Sequence, residues 1–203
     1  MHATPKKRDT TQKQQSIIRA ATEIFAQQGF DLASMDSIAE YAKASKRTVY
    51  NHFPSKDDLF YAVVAQLLGE QETLKKISYN PEQSLEQQLE QFTTAHLFLI
   101  STPTRLGISR ILNSMVVRNP QKVMEIQSKI GTFEDNLVNW LQSAAADKRL
   151  ELSNPVLAAK VFYAMIEGAF TYPALSGCLD PAEVAPLKKE LIQTFLSRYA
   201  SRG

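Results

Sequence analysis

Residues 34–55 read "SMDSIAEYAKASKRTVYNHFPS", and no other stretch constrains the chain as much. It holds two helix-length segments whose connection is too short for anything but a sharp turn. The first has Ser34 placed as an N-cap and Asp36 in the first turn, where the positive helix end favours an acid. Ile38, Ala39 and Ala42 form its apolar side. The second, "SKRTVYNHF" at 45–53, offers only Val49 and Phe53, four residues apart. So short a helix frays in water on its own, so neighbours must grip its apolar side. At 3.6 residues per turn, Arg47 and Asn51 fall almost opposite that side. Thr48 and Tyr50 flank them, with Lys46 and His52 nearer the edges. Two helices joined by a three- or four-residue turn, the second rich in polar side chains, form a helix-turn-helix arrangement.

The polar face has a specific chemistry. Arginine bridges two acceptors on a guanine edge, asparagine does the same with adenine, and threonine meets a thymine methyl. Tyr50, His52, Lys46 and Lys56 suit phosphate oxygens, where contacts position a protein without reading sequence. Lys56 also lies beside the free N–H groups that open the next helix. The plainer reading is a surface helix whose charges only solvate it. Charge placement weighs against that. Residues 1–56 hold nine Lys/Arg against five Asp/Glu, while the remaining 147 residues hold fourteen against sixteen. A basic first quarter on a mildly acidic body points to an anionic partner for the N-terminal end.

Around this motif the sequence predicts helices throughout. "QQSIIRAATEIFAQQGF" places Ile17, Ala21, Ile24, Phe25 and Gln28 at helical spacing, and Gly29 supplies a stop. "PSKDDLFYAVVAQLLGE" opens with Ser55 and Asp58 in a capping-box pattern and lines Leu59, Phe60, Val63, Val64, Leu67 and Leu68 along its inner faces. Residues 13–69 thus read as four helices. Beyond Asn80–Pro81, Leu85, Leu89, Phe92, His96 and Leu99 form one stripe of a helix broken at Thr102–Pro103. "RLGISRILNSMVV" resumes the helix, and "RNP" at 118–120 breaks it again. A stretch over about 120–146 follows, with Val123, Ile126, Ile130, Phe133, Leu137, Trp140 and Leu141. "NPVLAAKVFYAMIEGAFTYPALSG" is apolar on nearly every side, which implies burial on more than one face. The last helix starts at Asp180–Pro181 and carries Val184, Leu187, Leu191, Ile192, Phe195, Leu196 and Tyr199. No strand-like alternation or internal repeat interrupts the pattern.

"SMDSIAEYAKASKRTVYNHFPSKDDLF" resembles the DNA-binding signature of the TetR-type transcriptional regulators. The likeness runs from about Ile17 to Leu68 and is most specific from Tyr50 through Lys56. The resemblance implies an all-α fold, with an N-terminal three-helix helix-turn-helix domain and a C-terminal helical ligand-binding and dimerisation domain. The bounds expected are a flexible basic arm over 1–12, the DNA-binding domain over 13–56, and the ligand and dimer domain over 57–203. Carried over by position, Ser34, Lys46, Arg47, Thr48, Tyr50, Asn51, His52 and Lys56 become the DNA-facing residues. The later segments look most like the efflux- and stress-related regulators. The implied partners are a palindromic double-stranded DNA operator, a second copy joined through the last two helices, and an apolar or amphipathic small molecule that releases a repressor. One departure stands out: Lys43 occupies the interhelical turn where that family has glycine. A left-handed backbone there costs a non-glycine residue roughly 1–2 kcal/mol, so the turn is either strained or differently aimed.

Other residues leave alternatives open. Lys6, Lys7 and Arg8 are either a DNA-contacting arm or a solubilising tail. Phe92, Met115, Trp140 and Tyr163 are core residues or the lining of a pocket. His96, on an apolar stripe, is a core residue with a satisfied nitrogen or a ligand contact. Glu167, inside "FYAMIEGAF", needs a partner, because an unpaired carboxylate is costly to bury. That partner is a ligand, an arginine across a dimer (Arg105 or Arg110), or solvent. No phosphate-cradling glycine loop, metal-spaced histidine pair or nucleophile elbow points to an enzyme, a cofactor or a metal site. The single cysteine, Cys178, excludes an internal disulfide and fits a reducing compartment. No apolar run reaches the roughly eighteen residues a membrane span needs, and "MHATPKKRDTTQKQQ" lacks the apolar core of a secretory signal. A cytoplasmic protein is expected. The competing class is a helical small-molecule-binding or adaptor protein without sequence-specific DNA binding; duplex binding separates the two.

Overall fold

The computed structural model describes residues 5–69, 77–118, 120, 121, 124, 125, 128 and 133–201. For residues 5–9, 68, 69, 133 and 134 it describes the backbone alone. The expectations placed on the side chains of Lys6, Lys7, Arg8, Leu68 and Phe133, and on Val123, Ile126 and Ile130, lie outside the described residues. Within them the fold is helical and contains no strand. One isolated antiparallel bridge joins Leu150 to Ala200.

The elements are α1 (Pro5–Leu32), α2 (Met35–Tyr41), α3 (Lys46–His52), α4 (Lys56–Gly69), α5 (Leu85–Leu97), α6 (Pro103–Arg118), α7 (Phe133–Ala146), α8 (Pro155–Ile166), α9 (Tyr172–Ser176) and α10 (Pro181–Tyr199). A 3₁₀ turn, Phe98–Ile100, follows α5, and a π-helical turn, Glu167–Thr171, joins α8 to α9. The chain divides into two compact units. The first comprises the described parts of Met1–Glu70 and Thr102–Ile126, the second those of Gln71–Ser101 and Gln127–Gly203.

Three boundaries differ from the sequence reading. Helix α1 reaches back to Pro5 instead of starting near Lys13. Proline tolerates the first helical turn, and the Thr, Gln and Lys residues after it are compatible with a helix. Gly29 does interrupt α1, with φ 80°, and one further turn carries the chain to Leu32. The helix expected through Ile100 ends at Leu97 and tightens into the 3₁₀ turn before Pro103, whose preceding residue is steered away from helix. Finally, α4 and α6 belong to the first unit and not to a separate 57–203 body.

The cause of that last difference is a close contact between α6 and α1. A Cβ built on Gly107 would lie 2.9 Å from both the Cα and the carbonyl oxygen of Ala26. Only glycine lets α6 seat so closely on α1. Around this contact the first unit buries Ile17, Ala21, Ile24, Phe25, Leu59, Phe60, Val63 and Ile108. Phe25, Phe30 and Phe60 form an aromatic triad with centroids 5.3–5.7 Å apart.

The second unit has its own core. Leu89, Phe92, Leu137, Trp140, Leu141, Phe162, Ile166, Phe170, Leu191, Ile192 and Phe195 are buried together. Gln88, also buried, is fully engaged. Its side-chain nitrogen donates to the carbonyls of Asn80 (2.8 Å) and Gln83 (3.1 Å), and its oxygen accepts from the Trp140 indole (2.9 Å) and the Asn80 amide (2.8 Å). A buried amide satisfied in this way fixes the loop before α5 instead of destabilising the core.

Gly107→Val places two methyls where backbone already stands. Overpacking of this kind is expected to lower stability by about 1–3 kcal/mol, measured as the urea midpoint. An unchanged midpoint would mean that α6 does not sit this close to α1.

Candidate nucleic-acid interface

The short helix α3 is built as its sequence demands. Val49 is fully buried and Phe53 nearly so. Ser45 is the N-cap: its Oγ accepts the Thr48 amide at 3.1 Å and lies 2.8 Å from the Thr48 hydroxyl. The Phe53 amide closes the other end on the Val49 carbonyl. Helix α2 starts on a reciprocal cap: the Ser37 amide donates to Ser34 Oγ (3.0 Å) and the Ser34 amide to Ser37 Oγ (3.2 Å).

Between them runs the turn that carries Lys43. Its φ is 51°, the left-handed conformation. The Lys43 amide donates to Glu40 and the Ala44 amide to Ala39, which is the Schellman pattern that ordinarily places glycine at this position. Of the two possibilities left by the sequence, the strained turn is the one adopted. The same device ends α7, where Lys148 has φ 56°.

With α3 gripped this way, Arg47, Tyr50 and Asn51 are exposed together on its outer side. Among the described residues none of these three side chains hydrogen-bonds within the protein, so their donors and acceptors face solvent. Lys46 is exposed as well, but its ammonium pairs with Asp36 at 2.5 Å. The hydrogen bond that Lys46 donates to that carboxylate, and then the carboxylate's charge, hold Lys46 above the ordinary lysine pKa. Thr48 and His52 are half-buried at the edges. Ser34 is exposed, with its hydroxyl turned onto Ser37 Oγ at 3.0 Å.

Lys56, at the start of α4, has its ammonium against the end of α1 in the free chain. Its Nζ donates to the carbonyls of Phe30 (2.8 Å), Ala33 (3.0 Å) and Asp31 (3.3 Å). It also lies 4.6 Å from the centroid of the Phe30 ring. An ammonium has three N–H donors, and three carbonyls lie within hydrogen-bond distance of this one. The sequence signal for this was the free carbonyl end of α1 near Gly29, which spacing within one helix does not connect to Lys56.

Of the ligand candidates of the second unit, Phe92, His96 and Trp140 are buried, and Tyr163 and Glu167 are half-buried. Phe92 and Trp140 pack edge to face at 5.9 Å. His96 is buried, with Nε2 2.9 Å from Thr171 Oγ1 and 3.1 Å from Glu167 Oε1. The Tyr163 ring stands edge-on to His96 at 5.8 Å. Glu167, 31% exposed, keeps access to solvent, one of the three partners weighed in the sequence, and also has His96 as a neighbour, which was not among them. The π turn that carries Glu167 and Thr171 has a local cause. Pro173 offers no amide and would crowd the carbonyl four residues back, so the helix widens and Tyr172 donates to Glu167. Met115 is not part of this group. It lies on α6 in the first unit, where it lines a cleft with Gly29, Phe30, Arg110 and Arg118. Among the described residues no helix is long and apolar enough to cross a membrane.

Comparison with known proteins decides the family. Residues 17–63 match the family described as bacterial regulatory proteins, tetR family. Residues 87–201, more than half of the chain, match the AefR-like transcriptional repressor C-terminal domain. This chain belongs to the TetR family. TetR-family proteins are DNA-binding regulators of transcription and not enzymes, and α2–turn–α3 is the helix-turn-helix of this member. Among curated relatives, the uncharacterised HTH-type transcriptional regulator YhgD of Bacillus subtilis is 24% identical over 92% of this chain and 94% of its own. SrpR of Pseudomonas putida is 32% identical over 51% of this chain and 47% of its own. A TetR-family regulator from Pseudomonas syringae superposes with TM-score 0.75 at 28% identity, covering 98% of this chain and 100% of that one. The flavonoid-responsive regulator FrrA does so with TM-score 0.72 at 26% identity, over 95% and 100%.

The left-handed lysine gives this TetR-family head a testable weakness. Relief of the αL strain outweighs the extra flexibility that glycine brings to the unfolded chain. Lys43→Gly is therefore expected to stabilise the protein by about 0.5–1 kcal/mol in urea unfolding. A loss of stability would show that the turn is not strained.

Proposed function

We propose that this regulator is a homodimeric repressor that reads a pseudo-palindromic operator through α3 and leaves it when a small apolar or amphipathic molecule binds. One observation carries the reading of sequence: a capped helix with its apolar side buried presents Arg47, Tyr50 and Asn51 outward together. These supply a guanidinium, a phenol and an amide to a groove edge, where arginine and asparagine distinguish bases. Lys46 and His52 stand at the rim for phosphate oxygens, and Thr48 and Ser34 lie close by.

Dimerisation draws support from apolar side chains that α8, α9 and α10 leave exposed in the single chain. Leu157 is 57% exposed, Tyr172 58% and Val156 46%, and Val161 and Leu187 are also exposed. A two-fold pairing would cover them with the same surface of a second copy, and two copies of α3 would then meet half-sites about 10 base pairs apart.

Repression draws support from the likeness to the AefR-like transcriptional repressor C-terminal domain, and release by a small molecule from the likeness to the flavonoid-responsive regulator FrrA. The His96–Glu167–Thr171 group is the polar contact an amphipathic effector would find in an otherwise apolar core. Such an effector must bind the DNA-incompetent arrangement more tightly than the competent one, since equal affinity shifts nothing. The chain passes from the second unit to the first at Ser101–Thr102, directly into α6, and α6 and α4 are the elements through which the effect would reach α3.

Selection of duplexes from a random pool is the primary experiment. It is expected to return two inverted half-sites. Arg47→Ala should cost about 1–3 kcal/mol at one base pair of each half-site and relax specificity there. Equal losses on selected and scrambled duplexes would contradict base reading by Arg47.

Leu157→Glu tests the dimer. Sedimentation is expected to show monomer, with operator affinity lost in step. A dimer that persists with this charge in place would move the interface elsewhere.

A further inference from the structure

We propose a binding site within the first unit that takes a small organic anion, a carboxylate on an apolar body. It is a cleft among α1, the end of α2, α4 and the start of α6. It shares no residue with the outer side of α3 or with the core of the second unit. The proposal goes beyond the DNA-binding reading above and stands without it.

The cleft has a volume of about 540 Å³, within the range of small-molecule sites and far more than an inorganic anion fills. Its apolar lining comes from Ala20, Val63 and Leu67, the first two of them buried. Its charged lining comes from Arg19 and Glu23 of α1 and Arg105 of α6, and the Tyr41 side chain at the end of α2 stands beside them. All of these belong to the first unit. The sequence weighed Arg105 as a partner for Glu167 across a dimer; in the structure it lines this cleft instead.

The charge balance selects an anion. Two guanidiniums stand against one carboxylate in the lining. Arg19 and Glu23 are four residues apart on α1, the spacing of a helical ion pair, yet no ion pair joins them. Among the described residues no hydrogen bond engages the Arg19 guanidinium, the Glu23 carboxylate or the Tyr41 phenol. The Thr22 hydroxyl, also in the lining, is by contrast committed to the Ile18 carbonyl at 2.8 Å. A guanidinium meets a carboxylate through two parallel hydrogen bonds, and a phenol offers one further donor. The apolar lining would cover a hydrocarbon or aromatic body and remove it from water. Glu23 opposes the anion, so its charge weakens the binding that the arginines favour.

A molecule seated here touches four helices of one unit. Ala42, also in the lining, is the residue before the left-handed Lys43, so the ligand would rest directly against the approach to the interhelical turn. Occupancy stabilises by mass action the arrangement of α1, α2, α4 and α6 that keeps the cleft open. The site would thus report an anionic metabolite to the same unit that carries α3.

The experiment titrates the full-length protein by calorimetry at low ionic strength with naphthoate as the probe, and with naphthamide and inorganic phosphate for comparison. ¹H–¹⁵N spectra of the same samples locate the probe. The Ala42 and Thr104 amides report on the cleft, and the Trp140 indole, bonded to Gln88, reports on the core of the second unit. Naphthoate is expected to bind about tenfold or more tightly than either naphthamide or phosphate. It should shift the two cleft amides and leave the indole in place. Arg19→Gln should weaken naphthoate about fivefold or more, and Glu23→Gln should tighten it about twofold or more. Arg19 is exposed and Glu23 half-buried, so both variants are expected to fold. If either does not, the naphthamide comparison and the wild-type spectra decide. Absence of naphthoate binding at millimolar concentration would overturn the proposal. So would equal binding of naphthamide, or unchanged affinity in both variants. A shifted indole with unmoved cleft amides would place the probe in the second unit and overturn it as well. Phosphate binding as tightly as naphthoate would reduce the cleft to an inorganic-ion site and overturn the organic ligand. Failure to select any duplex would bear on the DNA-binding reading alone.

Discussion

A helix of seven residues does not hold itself, and the DNA-facing part of this molecule depends on how α3 is gripped. Its intrahelical hydrogen bonds are too few to offset the entropy of ordering it. Burial of Val49 and Phe53 supplies the apolar part of the grip, and Ser45 ties down the first turn. The Lys43 turn fixes the approach from α2 at the expense of a strained backbone. With these in place, the outer side of α3 is free of structural duties, and Arg47, Tyr50 and Asn51 are available to another molecule.

The two units solve the polar-group problem differently. In the first, exposed donors are left outward on α3, and the charge that turns inward, Lys56, meets carbonyls. In the second, Gln88, Thr93, His96 and Thr171 are buried among apolar residues and hydrogen-bonded there. Gln88 and Trp140 serve the packing of the α5 entry, whereas His96, Glu167 and Thr171 form a compact group on a widened helical turn. π turns recur at functional sites. Here the widening has a sufficient local cause in Pro173, so the turn alone carries no functional weight; the ionisable pair it positions does.

Much of the head was legible from short-range pattern. Ser34 and Asp36 announced α2, Val49 and Phe53 gave the buried side of α3, and Gly29 marked the interruption of α1, because each signal lies within one helical repeat. Lys43 stood out against the glycine that the family resemblance places in that turn. What the sequence concealed were contacts between distant segments. The carbonyls that hold Lys56 lie 23–26 residues before it, and Thr171 lies 75 residues beyond His96. The placement of α6 beside α1 depends on Gly107 meeting Ala26, a contact without periodicity. Met115 was weighed with the other ligand candidates as a large residue at helical spacing, and its helix belongs to the first unit. Residue type announced each of these side chains as unusual; only the fold supplied the neighbour.

The central claim is that α3 is fixed in the free protein before any duplex arrives. Amide hydrogen exchange over residues 46–53, measured on the full-length chain without DNA, tests it most directly. The structure predicts protection of the Val49–Phe53 amides comparable to that of the buried stretch Ile17–Phe25 in α1, since both would open only with the unit as a whole. Exchange of α3 at the rate of an unstructured peptide, with α1 still protected, would contradict it and mean that the recognition surface forms only on contact with its target.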